Sequence, residues 1–249
     1  MNQSEINKDA WNHRAYEYWN MRNDSPKAYA DKLRKDTDQN LRQKYRKYFQ
    51  NITGKKILNP LGSNGRQAAR LALLGAELTI IDISEDNSKW AKDLFRELDI
   101  HLEYHVNDFS SFENPDYNSN FDITFCEGGI LHYFSDLDRF FQKINSYLKL
   151  GGELILNDFH PYRKIHNPDY GTKGDYFFDE LITAPLAYEY AFEESDQKDF
   201  PKCLLRLFTI SEIITAIAKN NFQILEMQEL PLNKENKIPG EFIIRARKV

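Results

Sequence analysis

Cysteine is almost missing from this chain of 249 residues, which contains only Cys126 and Cys203. Two thiols cannot staple a disulfide-built secreted scaffold, and they cannot form a multi-cysteine zinc site. Long apolar runs are missing too, since none approaches the roughly 18 residues that a membrane helix needs. The opening Met1-Asn2-Gln3-Ser4-Glu5 has neither the basic nor the apolar region of a signal peptide. Positive charge is not in excess: 33 Lys and Arg stand against 38 Asp and Glu, a net charge of −5. That balance disfavours a protein that coats phosphate backbones. There is no internal repeat and no low-complexity tract, which excludes a solenoid.

What is present suits a globular enzyme of a reducing compartment, so a cytoplasmic location without membrane association is expected. Hydrophobic residues make up 41%, enough for a sizeable core, and aromatics at 14% suggest a pocket or lid as well. The length fits one large α/β domain, or one domain with insertions. We expect a single domain over 1–249, in four parts. Residues 1–50 read as a helical cap, 55–157 as an alternating core, 160–208 as an insertion, and 209–249 as a helix with closing strands.

The core is the clearest part. Lys56-Ile57-Leu58 reads as a strand that ends in Asn59-Pro60-Leu61-Gly62-Ser63-Asn64-Gly65. Ala68, Ala69, Leu71, Ala72 and Leu74 then follow helical spacing up to Gly75. Leu78 to Asp82 is a second strand, and Ser84 can cap the helix after it. Leu102, Tyr104 and Val106 alternate as a third strand, with His101 and His105 placed on one of its faces. Phe121 to Cys126 is a fourth. A helix from Ser135 or Asp136 should run to Gly151-Gly152, and Glu153 to Asn157 is a fifth strand. Residues 160–208 break this rhythm, and an irregular stretch of such length is usually a lid or subdomain. Thr209 and Glu212 have capping-box spacing. Phe222–Glu229 and Glu241–Arg247 close the chain as an antiparallel pair. The expected fold is thus a Rossmann-like, doubly wound seven-stranded sheet, mostly parallel, with an antiparallel C-terminal edge strand.

Ligands of such sheets bind beyond the carboxyl ends of the strands. Gly62 and Gly65 let backbone approach a ligand closely, and the helix behind them offers free N–H donors. Asp82 can accept both hydroxyls of a ribose, and Asp108 is placed for an adenine amino group. Plainer roles compete with these: a tight strand–helix turn, helix capping by Asp82, and an Asx turn at Asp108. The order and spacing of the three match one nucleoside site.

These pieces, with Gly75-Ala76-Glu77 through Ser84, Asn107-Asp108-Phe109, Phe121-Asp122 and Leu148-Lys149-Leu150-Gly151-Gly152-Glu153-Leu154, resemble the class I S-adenosylmethionine-dependent methyltransferases of the bacterial small-molecule type. The resemblance covers about Lys55 to Asp158. It implies S-adenosylmethionine as cofactor and a small molecule as methyl acceptor. It also implies that Asn59, Gly62, Ser63, Asn64 and Gly65 face the methionine and ribose part. Asp82 would take the ribose hydroxyls, Ile83, Asp108 and Phe109 would meet the adenine, and Glu127, Gly128 and Gly129 would line the methionine side. The loop departs from the family pattern: Asn59 replaces the usual acid, and Leu61 and Ser63 stand where the first two glycines are expected. After strand four, Glu127-Gly128-Gly129 stands where amino-group methylases of nucleic acids keep an Asn/Asp-Pro-Pro-Tyr/Phe motif, so nucleic acid is disfavoured as substrate.

Trp11, Tyr18 and Trp19 either pack a core or fold over the cofactor, where aromatic faces would attract a sulfonium. Lys32 to Lys47 is basic against Asp36 and Asp38, and 175–199 is acidic; each is a solvated face or a docking patch. His132 and His160 follow strands four and five and are the candidate bases. His101 and His105 lack a third ligand, so no metal is expected. Two alternatives remain: a non-catalytic protein that binds the cofactor through an altered loop, and a nucleotide-dependent oxidoreductase. The oxidoreductase reading lacks its fingerprint, because Gly62 and Gly65 give G-x-x-G and not G-x-G-x-x-G. Oligomeric state and the acceptor's identity are not legible in the sequence.

Overall fold

A computed structural model describes residues 2–35, 41–167, 170–233 and 238–249. Three helices open the chain: α1 (Gln3–Asn12), α2 (Ala15–Asn23) and α3 (Pro26–Lys35). The alternating core follows as β1 (Lys56–Pro60), α4 (Arg66–Leu73), β2 (Glu77–Asp82), α5 (Glu85–Leu98), β3 (Glu103–Val106), β4 (Phe121–Glu127), α6 (Leu137–Tyr147) and β5 (Leu148–Phe159). The insertion holds α7 (Arg163–His166), β6 (Leu181–Ala184), α8 (Glu194–Gln197) and β7 (Cys203–Arg206). The chain closes with α9 (Ile210–Lys219), β8 (Phe222–Pro231) and β9 (Pro239–Lys248). Seven strands form one sheet in the order β3-β2-β1-β4-β5-β9-β8. Its C-terminal strand β9 is antiparallel both to β5 and to β8.

The residues divide into two compact units, Trp11–Glu113 and Met1–Ala10 with Asn114–Val249. In the first unit β1 pairs with β2, and β2 with β3, all parallel. Ser84 caps α5 by accepting the Asn87 N–H, and Glu85 and Asp86 sit in the first turn, where the helix dipole favours them. Trp90, Ala91, Leu94, Phe95 and Leu98 form the buried stripe of α5. Helices α2 and α3 lie on this same helix. The Tyr16 hydroxyl donates to Asp93 at 2.8 Å, the Trp90 indole to Asn20 at 3.0 Å, and the Tyr29 and Trp90 rings meet at 5.9 Å. Leu74 does not join the buried face of α4. It is the C-cap residue, 37% exposed, and Gly75 behind it takes φ +89° as the turn requires.

In the second unit β4 and β5 are parallel, and Asp136 caps α6 by accepting the Arg139 N–H. Helix α6 ends at Tyr147, four residues short of the expected Gly151-Gly152. Leu148 already pairs with Phe121, and the register then shifts so that Glu153 pairs with Ile123. The intervening residues bulge out of the strand, with Leu150 exposed and Gly151 at φ +76°. A Cβ on Gly152 would sit 2.9 Å from the Lys149 carbonyl oxygen. Those glycines therefore serve a bulge and do not stop a helix.

The insertion is also more ordered than its composition implied. Strands β6 and β7 pair antiparallel as a small second sheet. The buried Asn7 of α1 behaves like a further strand edge. Its amide donates to the Leu204 carbonyl at 3.0 Å and accepts the Leu204 N–H at 2.8 Å. Thr209 and Glu212 make the expected capping box at the start of α9. His101 lies before β3 and not on it, so the shared strand face with His105 does not form. Asp36 and Asp38 of the basic segment lie outside the described residues.

Candidate active site

In the Trp11–Glu113 unit, the strand ends meet around one buried carboxylate. Asp82 is 5% exposed. One oxygen accepts the Ser63 N–H at 2.9 Å, and the other accepts the Ser84 N–H at 2.9 Å. The Asn87 amide approaches the second oxygen at 3.5 Å. Burial pushes the Asp82 pKa up and the hydrogen bonds pull it back. The Tyr104 hydroxyl donates to the Ser63 carbonyl at 3.0 Å and stands beside Asp82. A carboxylate has about four acceptor positions, so Asp82 retains capacity for further donors. Asp82 thus ties the turn after β1 to the turn after β2.

The turn after β1 keeps a glycine-loop backbone without most of its glycines. Leu61 stands at φ +52°, Ser63 at +51° and Gly65 at +69°. The left-handed region costs a non-glycine residue roughly 1–2 kcal/mol. The conformation survives because the surroundings hold it. The Leu61 N–H donates to the Ile81 carbonyl at 2.8 Å, and the Gly65 N–H to the Gly62 carbonyl at 3.0 Å. Gly62 itself has no positive φ; it is glycine for space, since a Cβ there would stand 2.5 Å from Asn59 Oδ1. Ser63 Oγ and Asn64 Nδ2 are buried without a hydrogen-bond partner among the described residues. Buried polar atoms of this kind ask for a ligand or water. They make this turn a polar cradle with capacity for further hydrogen bonds.

Other expected residues fall into plainer local roles. Asp108 accepts the Ser110 N–H at 2.8 Å in an Asx turn, and Phe109 is buried at 2%. Ile83 is half-buried. Tyr18 and Trp19 are buried, Trp19 donates from its indole to Asn87 at 2.8 Å, and the Arg66 guanidinium lies 4.8 Å from its ring. The Trp11 carbonyl accepts the Ser84 hydroxyl at 2.8 Å. The N-terminal aromatics are therefore joined to the same residues that organise Asp82, which spacing alone could not reveal.

In the second unit, residues at the ends of β4 and β5 line a cavity of about 400 Å³, its open mouth included. Its wall contains His132, Asp158, Phe159, His160 and Lys164. Gly128 stands open at φ +87°, and its N–H donates to the Asn157 carbonyl at 3.1 Å. Gly129 has a packing reason: a Cβ there would collide with the Phe159 ring. Glu127 ends β4 half-buried.

The two candidate bases differ. His132 is desolvated and lies near the Arg163 guanidinium, so its pKa falls to about 3. It is a neutral imidazole at neutral pH. His160 is buried and engaged at both nitrogens: Nδ1 accepts the Tyr162 N–H at 3.2 Å, and Nε2 faces Glu229 at 2.9 Å. Asp158 stands at a strand end that the sequence marks out, but the sequence gives it no role. It is 4% exposed and accepts N–H groups from Ile130, Leu131 and Phe159, yet burial raises its pKa to about 6. No signal in the sequence separates it from an ordinary strand-end aspartate. Among the described residues no group of three metal-binding side chains occurs, and no helix is long and apolar enough to cross a membrane. Cys126 and Cys203 are buried free thiols, raised in pKa chiefly by burial.

Comparison with known proteins bears on this geometry. Residues 61–156 match the family model of a methyltransferase domain. No curated protein matches the chain. Among solved structures, an S-adenosylmethionine-dependent methyltransferase of Methanosarcina mazei is similar at 20% identity and TM-score 0.63, over 84% of this chain and 99% of that one. One from Mesorhizobium loti is similar at 19% and 0.61, over 82% and 96%. The geranyl diphosphate C-methyltransferase of Streptomyces coelicolor A3(2), solved with Mg2+, geranyl diphosphate and S-adenosyl-L-homocysteine, is similar at 14% and 0.58, over 83% and 78%. At these identities the likeness to solved structures is one of fold.

Four outcomes are expected from this geometry. Ser63→Gly relieves a left-handed serine and removes a buried unpartnered hydroxyl, against the entropy of an added glycine, so denaturation should show a gain of about 1 kcal/mol. Gly62→Ala should lower stability, and the reverse order of the two variants would refute the packing described. Asp158, followed by carboxyl carbon NMR, should titrate near pH 6. Because its unfolded pKa is lower, it withdraws stability as pH rises from about 4 to 6. His132 has the opposite sign, adding stability as pH rises from about 3 to 6.5. A midpoint for Asp158 near 4 would contradict its burial.

Proposed function

We propose that this chain, whose residues 61–156 match a methyltransferase domain, transfers a methyl group from S-adenosylmethionine to a small-molecule acceptor by in-line displacement. The observation that carries this reading is the cradle around Asp82, where Ser63 Oγ and Asn64 Nδ2 are buried and unpartnered beside an acceptor-rich carboxylate. Asp82 would take the ribose hydroxyls, Asn59 to Gly65 would hold the amino-acid part, and Ile83, Asp108 and Phe109 would bound the adenine. Trp11, Tyr18 and Trp19 would support this cradle through Ser84 and Asn87. When bound, the cofactor supplies an electrophilic methyl group on a sulfonium.

The chain's own residues then have to place the acceptor and exclude water. Holding the reacting atoms in line can supply a large share of the acceleration. The cavity beside β4 and β5 is the proposed acceptor site. His132, neutral at physiological pH, would accept a hydrogen bond from the acceptor and orient it. Burial raises the Asp158 pKa to about 6, which suits a proton acceptor where the acceptor has a proton to lose. Glu127, Gly128 and Gly129 would leave room at the end of β4. A small acceptor also accords with the chain's net negative charge.

Calorimetry tests the reading directly. The protein should bind S-adenosylmethionine and ignore NAD and NADP, and failure to bind the sulfonium would refute it. Asp82→Ala should weaken that binding by roughly tenfold or more, the cost of two lost hydrogen bonds to a charged group. Asp82→Asn, which keeps the shape, should fall between. His132→Ala should lower turnover without altering the pH profile between 5 and 8, because an imidazole with a pKa of about 3 does not titrate there. Loss, in His132→Ala, of a limb that the wild type shows in that range would assign His132 the role of base.

A further inference from the structure

Lys164 is an anomaly in this molecule. Its side chain is 3% exposed, and its Nζ has no hydrogen-bond partner among the described residues. Lysine is rarely buried unless it is paired. The Tyr176 ring lies 5.2 Å away and provides cation–π attraction but no acceptor. Three carboxylates, Glu212, Asp175 and Asp179, act on it electrostatically, but none hydrogen-bonds Nζ. Glu212 accepts from the Thr209 N–H and hydroxyl and from Arg206, and Asp175 accepts the Phe177 N–H. A buried ammonium left in this state destabilises the fold.

The setting indicates what the charge is for. Lys164 lines the cavity at the end of β5, together with Arg163, His132, Asp158, Leu207 and Phe208. Arg163 is held by stacking, with its guanidinium 3.9 Å from the centre of the Phe159 ring. The fixed charges of the wall are two cations and, when Asp158 is ionised, one anion. The Asp158 carboxylate is turned to backbone N–H groups of Ile130, Leu131 and Phe159. The wall thus offers a direct ionic contact at Lys164, while Glu212, Asp175 and Asp179, which act on the same ammonium from outside the wall, oppose a second negative charge. Leu207 and Phe208 give the same cavity an apolar wall, which suits the carbon skeleton of an organic acid.

We propose that this cavity is a carboxylate subsite, in which Lys164 Nζ binds the carboxylate of a small organic acid and Arg163 stands as the second cation. That the acid is the methyl acceptor rests on the methyltransferase reading; that the cavity takes a carboxylate does not. The subsite explains why an unpaired lysine is tolerated in the interior, since the ligand completes the ion pair. Lys164 is a binding residue in this account and takes no part in the transfer step.

The test uses the full chain and three probes of one shape: benzoate, the neutral benzamide, and the dianion phenyl phosphate. Titration calorimetry or NMR should show saturable binding of benzoate, with benzamide and phenyl phosphate each weaker by about tenfold or more. Lys164→Met should weaken benzoate by a similar factor and raise the melting temperature, because an apolar side chain replaces a buried unpaired charge. Lys164→Arg should retain the preference for benzoate over benzamide. Equal binding of benzoate and benzamide, or unchanged benzoate binding in Lys164→Met, would overturn the subsite. Tighter binding of phenyl phosphate would overturn its assignment to a carboxylate. S-adenosylmethionine titrated into the same proteins separates the two claims. Benzoate binding without cofactor binding would overturn the acid's identity as methyl acceptor and leave the subsite standing.

Discussion

A single buried carboxylate organises the first half of the sheet's ligand edge. Asp82 holds the Ser63 N–H with one oxygen and the Ser84 N–H with the other, both at 2.9 Å. Burial alone would drive this group to its neutral form, and the donors around it counter that cost. Removing a partner from such a charge is far more costly than the pair is worth in isolation. The consequences spread outward from this point. Ser84 caps α5 and reaches the Trp11 carbonyl, Asn87 joins Asp82 to the Trp19 indole, and Tyr104 closes on the Ser63 carbonyl. The N-terminal helices, the turn after β1 and the start of α5 therefore share one electrostatic anchor.

Two places break local rules. One is the turn after β1, where Leu61 and Ser63 hold positive φ at a cost that glycine would avoid. The other is Lys164, a buried cation with no partner among the described residues. Natural sequences violate such rules chiefly at functional sites and offset the cost elsewhere. Both violations fall at the carboxyl ends of strands or in the segment that follows one, where sheets of this kind bind their ligands. The rest of the chain is locally consistent, as the capping box at Thr209 and the apolar stripe of α5 show.

Much of this was legible in the sequence, and the parts that were not share a cause. Periodicity located the strands and helices of the core, because burial on one face imposes a repeat of 2 or 3.6 residues. It misplaced the end of α6, since Leu148-Lys149-Leu150-Gly151-Gly152 continues an apolar pattern while the backbone has already become a bulged strand. It also missed the β6–β7 pair, whose strands have four residues each. At the site, Asp82 was visible through its position after β2. Asp108 was visible in the same way, and the structure adds that it accepts the Ser110 N–H in a turn. Asp158 and Lys164 were invisible as special groups, because their character comes from desolvation and from neighbours distant in sequence. His160 was selected as a histidine after a strand, and its contacts with the Tyr162 N–H and with the distant Glu229 are not visible in spacing.

Amide hydrogen exchange, with and without S-adenosyl-L-homocysteine, tests the central claim most directly. If Asp82 is the anchor of a cofactor cradle, the Ser63 and Ser84 amides should exchange slowly in the free protein despite lying in turns. Both should slow further, together with those of residues 61–65, when the product cofactor is added. Rapid exchange of these two amides in the free protein, or ligand protection that falls elsewhere and leaves them unchanged, would contradict the account.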